Sequence, residues 1–486
     1  MSPEHGQAAS TRDRSARQVN ILVVVLTFTG IVATLLNTLI IPVIPHLPRY
    51  LNAPVSDTAW ALTVTLLCGA VTTPMMGRLA DMYGKRRMLL LGIGLLALGS
   101  VVCALSDTLA PLLVGRALQG MAHGVIPLCL SIMRDEVPAE RLPVAAAVMA
   151  GSLGVGGAVG LPTAALIADN FHWHVLFWTA AGCSVVSLVL ILLLVPKSKV
   201  RTGGSFDFPG ALGLTVGLVC LLLAASKGED WGWRSATTLL LFTATVVVLP
   251  LWGWYELRTP QPVVDLRSSA RPLVLFTNLA AVALGLSLFA TNLVIPQVLQ
   301  LPRATGYGLG KSLVVTGLAL APQGLAMMAF SPLAARITKA KSPKLTLVIG
   351  AAITGAGYLL AMVMMSGMWQ LIMASCVIAA GVGFCLGALP TLIMGAVPVS
   401  ETAAANGLNS LMRSIGTTSS SAAAGVILAH MTISFADAQV PSENGLRTVL
   451  AVGAGAAAVV LAIATFIPGG RSAAAPSPQV PVETTT

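Results

Sequence analysis

The sequence predicts an all-α polytopic membrane protein with fourteen transmembrane helices. Three observations carry that prediction. Hydrophobic residues make up 56% of the 486-residue chain and its mean hydropathy is +0.85, beyond the roughly half-apolar composition of soluble domains. Charged residues are only 9% and gather in short segments between apolar runs of the roughly 20 residues that a bilayer core requires. Those segments also alternate in charge. With the N-terminus inside, about twenty Lys and Arg fall on the cytoplasmic side and about six outside, the direction that the positive-inside rule demands.

The runs are 20–45, 58–77, 88–106, 110–133, 144–167, 175–195, 209–226, 235–254, 272–296, 312–335, 344–365, 369–394, 406–429 and 448–467. The first follows Arg12, Arg14 and Arg17 and is too long for the apolar core of a secretory signal, so it reads as an uncleaved span. The basic segments "GKRR", "RDEVPAER", "PKSKVR", "RSSAR" and "RITKAKSPK" follow spans two, four, six, eight and ten. Adding or dropping one span would turn the later ones outward, so the even count is required. Connections are short, which makes consecutive spans antiparallel neighbours. The segment 256–271 has room for an amphipathic stretch. The tail 468–486, "PGGRSAAAPSPQVPVETTT", has the Pro-rich polar composition of disorder.

Composition also narrows function. The formal charge of +10 reads as loop charge that sets topology, so no nucleic-acid partner is expected. Cys68, Cys103, Cys129, Cys183, Cys220, Cys376 and Cys385 all lie inside apolar runs, without the close pairing of a metal or redox motif. No metal and no cofactor is expected. There is no H-x-x-x-H, no intramembrane Asp pair, no Ser/His dyad in register and no soluble output module, so neither an enzyme nor a receptor is predicted.

The most concentrated charge is "GRLADMYGKRRMLLLG", Gly77 to Gly92. A basic loop explains Lys85, Arg86 and Arg87, but not Asp81 between Gly77 and Gly84. An acid at the membrane edge needs a partner, and Gly84 permits a tight reversal. The pattern G-x-L-A-D-x-x-G-x-R-R, with Arg78 beside Gly77, resembles the spans 2–3 signature of the major facilitator superfamily. "LLVGRALQGMAHG" is similar to that superfamily's fourth-span motif, with Arg116, Gln119 and Gly120 in the R-x-x-Q-G positions. "GGAVGLPTAA" resembles its fifth-span exporter motif. There Gly156 and Gly160 keep the small-xxx-small spacing, but the proline is one place late at Pro162 and alanines replace the closing glycines.

"GGSFDFPGALGLTVGLVCLLLAASKGEDWGW" is similar to the helix pair inserted between the halves of the fourteen-span drug/proton antiporter branch. "NGLNSLMRSIG" resembles that branch's thirteenth-span signature, with Asn406, Asn409 and Arg413. The resemblance implies two six-helix bundles, 20–195 and 272–467, around an inserted pair with linkers at 196–271. Tails at 1–19 and 468–486 complete the layout. It further implies alternating access, with Asp81 looking toward the start of span thirteen near Ala403 to Asn406. The bases Arg336, Lys339 and Lys341 after span ten are its degenerate counterpart in the second half.

Span one departs from the branch. It reads "LLNTLIIPVIP", with Leu36 where the branch carries an acid, followed by Asn37 and Thr38. No Asp or Glu lies near the middle of any span; Asp57, Asp107, Asp169, Glu229 and Asp230 are at outer edges. Cationic substrates are therefore disfavoured beside Arg116 and Arg413, and neutral or weakly anionic lipophilic compounds fit better. His123, two turns from Arg116, is the one intramembrane side chain whose ordinary pKa lies near neutral, and so the candidate proton carrier. The expected function is proton-coupled efflux of small lipophilic compounds by a monomer, multi-pass in the cell membrane with both termini cytoplasmic. The alternative is uptake or exchange of a small metabolite.

Overall fold

The computed structural model describes residues 16–40, 43, 46–198, 203–435 and 438–468. Arg12, Arg14, Pro45 and the tail from residue 469 lie outside the described residues, as do the side chains of Asn37, Asp169 and Glu229. Its long helices are α1 (Ala16–Thr38), α2 (Trp60–Tyr83), α3 (Lys85–Ala104), α4 (Leu109–Glu136), α5 (Leu142–Asn170), α6 (His174–Leu194) and α7 (Phe208–Trp231). They continue with α8 (Ala236–Glu256), α9 (Pro272–Gln300), α10 (Leu313–Ala340), α11 (Pro343–Val363), α12 (Met368–Ala396), α13 (Thr402–His430) and α14 (Glu443–Phe466).

Among the described residues thirteen of these are long and apolar enough to cross a membrane by length and composition. The other is α13, whose "NGLNSLMRSIGTTSSS" run lowers its hydropathy. It packs against α2, α4, α7, α9 and α12, so its polar face meets protein on several sides. Large apolar side chains cover the outside, with Leu193, Val246, Val363 and Trp369 each more than 70% exposed. That is the surface of a chain solvated by lipid.

Two helices differ instructively from their apolar runs. α2 continues through Tyr83, because Arg, Leu, Ala and Met in "GRLADMY" are good helix formers. The charged stretch is thus two helix ends joined at Gly84 (φ 109°, ψ 127°) rather than a loop. α4 is interrupted by a 3₁₀ turn at Ala122–Gly124. Pro127 lacks an amide hydrogen and its ring crowds the carbonyl four residues back, at His123. Between α13 and α14, where only a loop is expected, strands β1 (Thr432–Phe435) and β2 (Ala438–Pro441) pair antiparallel. The 256–271 stretch forms one helical turn, Leu266–Ser269, after a bent strap without regular structure.

One core joins residues of α1–α6, among them Leu26, Leu89, Leu128 and Leu176. A second joins α9–α14, with Leu284, Tyr358, Leu389 and Leu450. The halves meet where α5 packs on α10 and α12, and where α13 packs on α2 and α4. On the α5–α10 seam Gly154 and Gly324 face each other, and a Cβ on Gly154 would stand 2.8 Å from the Gly324 carbonyl oxygen. A third, smaller core ties Ala211, Leu214 and Leu218 of α7 to Ala70 and Val71 of α2, and to Leu408 and Leu411 of α13. Few residues of α8 are buried, Thr238, Thr245 and Glu256 among them, so the helix is peripheral.

Candidate functional site

A cavity of about 530 Å³ lies between the halves. Thr34 and Thr38 of α1, Gly157 and Leu161 of α5, Asn292 and Gln300 of α9, Gln323 of α10, Leu386 of α12 and Arg413 of α13 contribute to its wall. The lining is mostly apolar, with scattered amides and hydroxyls, the usual make-up of a small-molecule pocket. Arg413 is the one charged residue among those lining it. Its Nη2 donates to Ser410 Oγ at 3.2 Å, and among the described residues no carboxylate pairs with it. Thr38, Gln300 and Leu313 lie at helix ends remote from the Gly77–Arg87 segment, so the cavity reaches toward the opposite end of the helices.

The end bearing that segment is closed by bonds between the halves. α13 starts after Glu401, which gives it no side-chain cap, leaving its first amides to find partners elsewhere. Asp81, 1% exposed, supplies them from α2. Ala403 N donates to its Oδ1 at 3.3 Å and Ala404 N to its Oδ2 at 2.9 Å. The carboxylate thus caps a helix of the other half and faces its positive dipole end. Gly77, one turn earlier on the same face, lets the helices come this close. A Cβ there would stand 2.6 Å from the Ala403 carbonyl oxygen.

Two further residues close the same end, and sequence reading treated both as topology charge. Arg134 Nη2 donates to Val397 O at 2.7 Å, and its Nη1 donates to Thr402 Oγ1 at 2.5 Å. Asp135 pairs with Lys85 at 2.7 Å, where Lys85 is 1% exposed. Lys85 Nζ also reaches Val399 O at 3.4 Å. The available signal was the acid directly following a base in "MRDE", at the end of a span rather than in a loop. Arg86 bonds within its own half instead, its Nη2 donating to Leu192 O at 2.6 Å.

The residues expected around the cavity divide. Thr38 and Arg413 line it; Arg116, Gln119, Gly120 and His123 are not among its lining. Arg116 is 1% exposed and locked inside the first half. Its Nε donates to Ala61 O at 3.1 Å, its Nη1 donates to Gln119 Oε1 at 2.6 Å, and Gln119 Nε2 donates on to Ser100 Oγ at 2.8 Å. His123 Nδ1 lies 2.9 Å from Gly120 O. The buried arginine is held by one backbone carbonyl and one side-chain amide of its own half, which fits a packing role. In span five, Gly156 and Gly160 face Thr34 and Thr38 of α1, and Gly317 of α10 stands beside Pro162. In span thirteen Asn409 Nδ2 donates to Asn278 Oδ1 of α9 at 3.0 Å, and Asn406 is buried.

Two helical bundles around a central cavity, closed at one end by bonds between the halves, are the architecture of an alternating-access membrane transporter. The Major Facilitator Superfamily sequence profile matches residues 26–421. The chain belongs to that superfamily. It is 28% identical over 425 residues to the uncharacterized MFS-type transporter YvkA of Bacillus subtilis, covering 86% of this chain and 93% of that one. It is 26% identical over 419 residues to the multidrug resistance protein Stp of Mycobacterium tuberculosis, covering 85% and 76%. Among solved structures, the human organic anion transporter MFSD10 superposes with a TM-score of 0.66 over 92% of this chain and 99% of that one. At 15% identity that likeness shows the fold alone.

Proposed function

We propose that this protein exports small lipophilic compounds, neutral or weakly anionic, from the cytoplasm by alternating access. The observation that carries the reading is the mostly apolar cavity between the halves, with Arg413 its single charged lining residue among the described residues. An apolar wall favours lipophilic bodies, and an unpaired guanidinium in a low-dielectric site disfavours cations. The drug-resistance name of the Stp relative supports the outward direction. In the proposed topology both termini are cytoplasmic, the Asp81 end faces the cytoplasm and the protein acts as a monomer in the cell membrane. It needs no cofactor and has no enzymatic activity; the proton gradient is the proposed energy source.

The test is expression in a bacterium stripped of its own efflux pumps. Accumulation of a panel of neutral, acidic and cationic dyes and antibiotics is measured with and without a protonophore. Lower accumulation of neutral and acidic compounds, reversed by the protonophore, is expected. No change for any compound, or protection limited to cations, overturns the proposal.

A further inference from the structure

The inserted helix pair carries two acids that the latch and the cavity do not use. Asp207 is the N-cap of α7: Gly210 N donates to its Oδ1 at 3.0 Å, and Tyr255 Oη donates to the same oxygen at 3.0 Å. Glu256 ends α8 and is 1% exposed. Its Oε1 accepts from Val264 N at 2.7 Å. The remaining oxygens, Asp207 Oδ2 and Glu256 Oε2, are buried and make no hydrogen bond, although the Val263 amide also approaches the Glu256 carboxyl. They face the same spot: a Cβ on Gly210 would collide with both, standing 2.6 Å from Glu256 Oε2.

A buried carboxylate oxygen with no donor is costly, and two of them side by side repel as well. Neighbouring carboxyls resolve both problems by holding one proton, as an acid donating to a carboxylate. No cation competes for the position among the described residues. Arg258 lies over the Trp254 ring and Arg267 Nη2 is bonded to Leu257 O. Asp265 caps its own turn through the amides of Arg267 and Ser268. On the helices packed against α7, Asp81 caps α13, Arg413 lines the cavity, and Arg78 of α2 has no ion pair with either acid.

We propose that Asp207 and Glu256 bind a single shared proton, and that this proton sets how firmly the inserted pair holds α2 against α13. The mechanical link is the strap after α8. Glu256 holds the Val264 amide, and Val263 and Val264 are buried in the same cluster as Ala70, Val71, Leu408 and Leu411. Loss of the proton leaves two adjacent charges across Gly210, and the Glu256 side chain relieves the repulsion by swinging outward with the strap. Binding is proton transfer to a carboxylate oxygen, with no other bond changed. The inference does not depend on which compound the protein carries or in which direction.

The test uses the full-length protein in lipid nanodiscs. Infrared difference spectra are recorded across a pH titration for wild type, Glu256→Gln and Asp207→Asn, in sodium and in choline buffers. Asn can still cap α7, which makes Asp207→Asn the check if Glu256→Gln folds poorly. A protonated-carboxyl band should outlast the ionisation of surface acids in wild type, be absent from both variants and ignore sodium. Spin labels on α2 and α13 should report a pH-dependent shift of about fivefold in their distance populations, flattened in Glu256→Gln. The same band in all three proteins, or none in wild type, overturns the proton site. A band displaced by sodium assigns the position to a metal cation and overturns it equally. A wild-type band without any pH-dependent distance change overturns the clamp.

Discussion

Replacing Asp81 by Asn should open the end of the molecule that Asp81 holds closed. The side chain stays nearly the same size, so the fold is retained, but the charge is lost and one acceptor becomes a donor aimed at the start of α13. The wild-type carboxylate accepts from two amides at 2.9 and 3.3 Å. Charge-assisted hydrogen bonds contribute about 1.5–3 kcal/mol, and a carboxylate at a helix N-terminus up to about 2 kcal/mol when partly buried. These overlap rather than add, so about 2 kcal/mol is a fair value for the contact. A bond made in only one of two states biases their equilibrium by its full differential energy. The ratio of closed to open forms at that end should therefore fall about 30-fold. Cysteines at Tyr83 and Val399, in a background without the native seven, place spin labels on either side of the seam. Pulsed dipolar spectroscopy in nanodiscs then reads the two populations. A ratio within about twofold of wild type would refute the latch.

Three other outcomes follow from the same geometry. Gly77→Ala forces a methyl against the Ala403 carbonyl and should shift the same distances toward the open form, with Gly77→Val shifting them further. Removing one member of the buried Lys85–Asp135 pair should cost about 3–5 kcal/mol. Thermal unfolding in detergent should show Lys85→Met well below wild type, and Lys85→Met with Asp135→Leu recovering much of the loss. Arg116→Ala leaves the Gln119 Oε1 and Ala61 O groups without their donor and should lower thermal stability by about 3 kcal/mol. Arg116→Lys should recover part of it, because an ammonium keeps the charge without the planar fork.

The long helices were legible because lipid demands long apolar runs. The partner of Asp81 was legible too, since a membrane-edge acid needs a positive group and the resemblance supplied a helix start. Cavity-facing residues were harder. Helices that are apolar nearly all round carry no stripe to separate a lipid face from a cavity face. Arg116 and Arg413 thus read alike in sequence, although carbonyls in its own half hold the first and the cavity exposes the second. The α4 break needed Pro127 weighed against the carbonyl it crowds. Arg134 and Asp135 were hidden because a charge at a span end also serves topology. Asp207 and Glu256, 49 positions apart, become neighbours only when α7 and α8 fold back on each other.

The central claim is that the cavity between the halves is the transport route. Ala158 lines it and is 7% exposed, so Ala158→Cys in a background lacking native cysteines places a thiol in the wall. In cells, a membrane-impermeant thiol reagent added outside should label this cysteine and stop efflux, and an exported compound should slow the labelling. Efflux that continues at full rate after complete labelling would contradict the account.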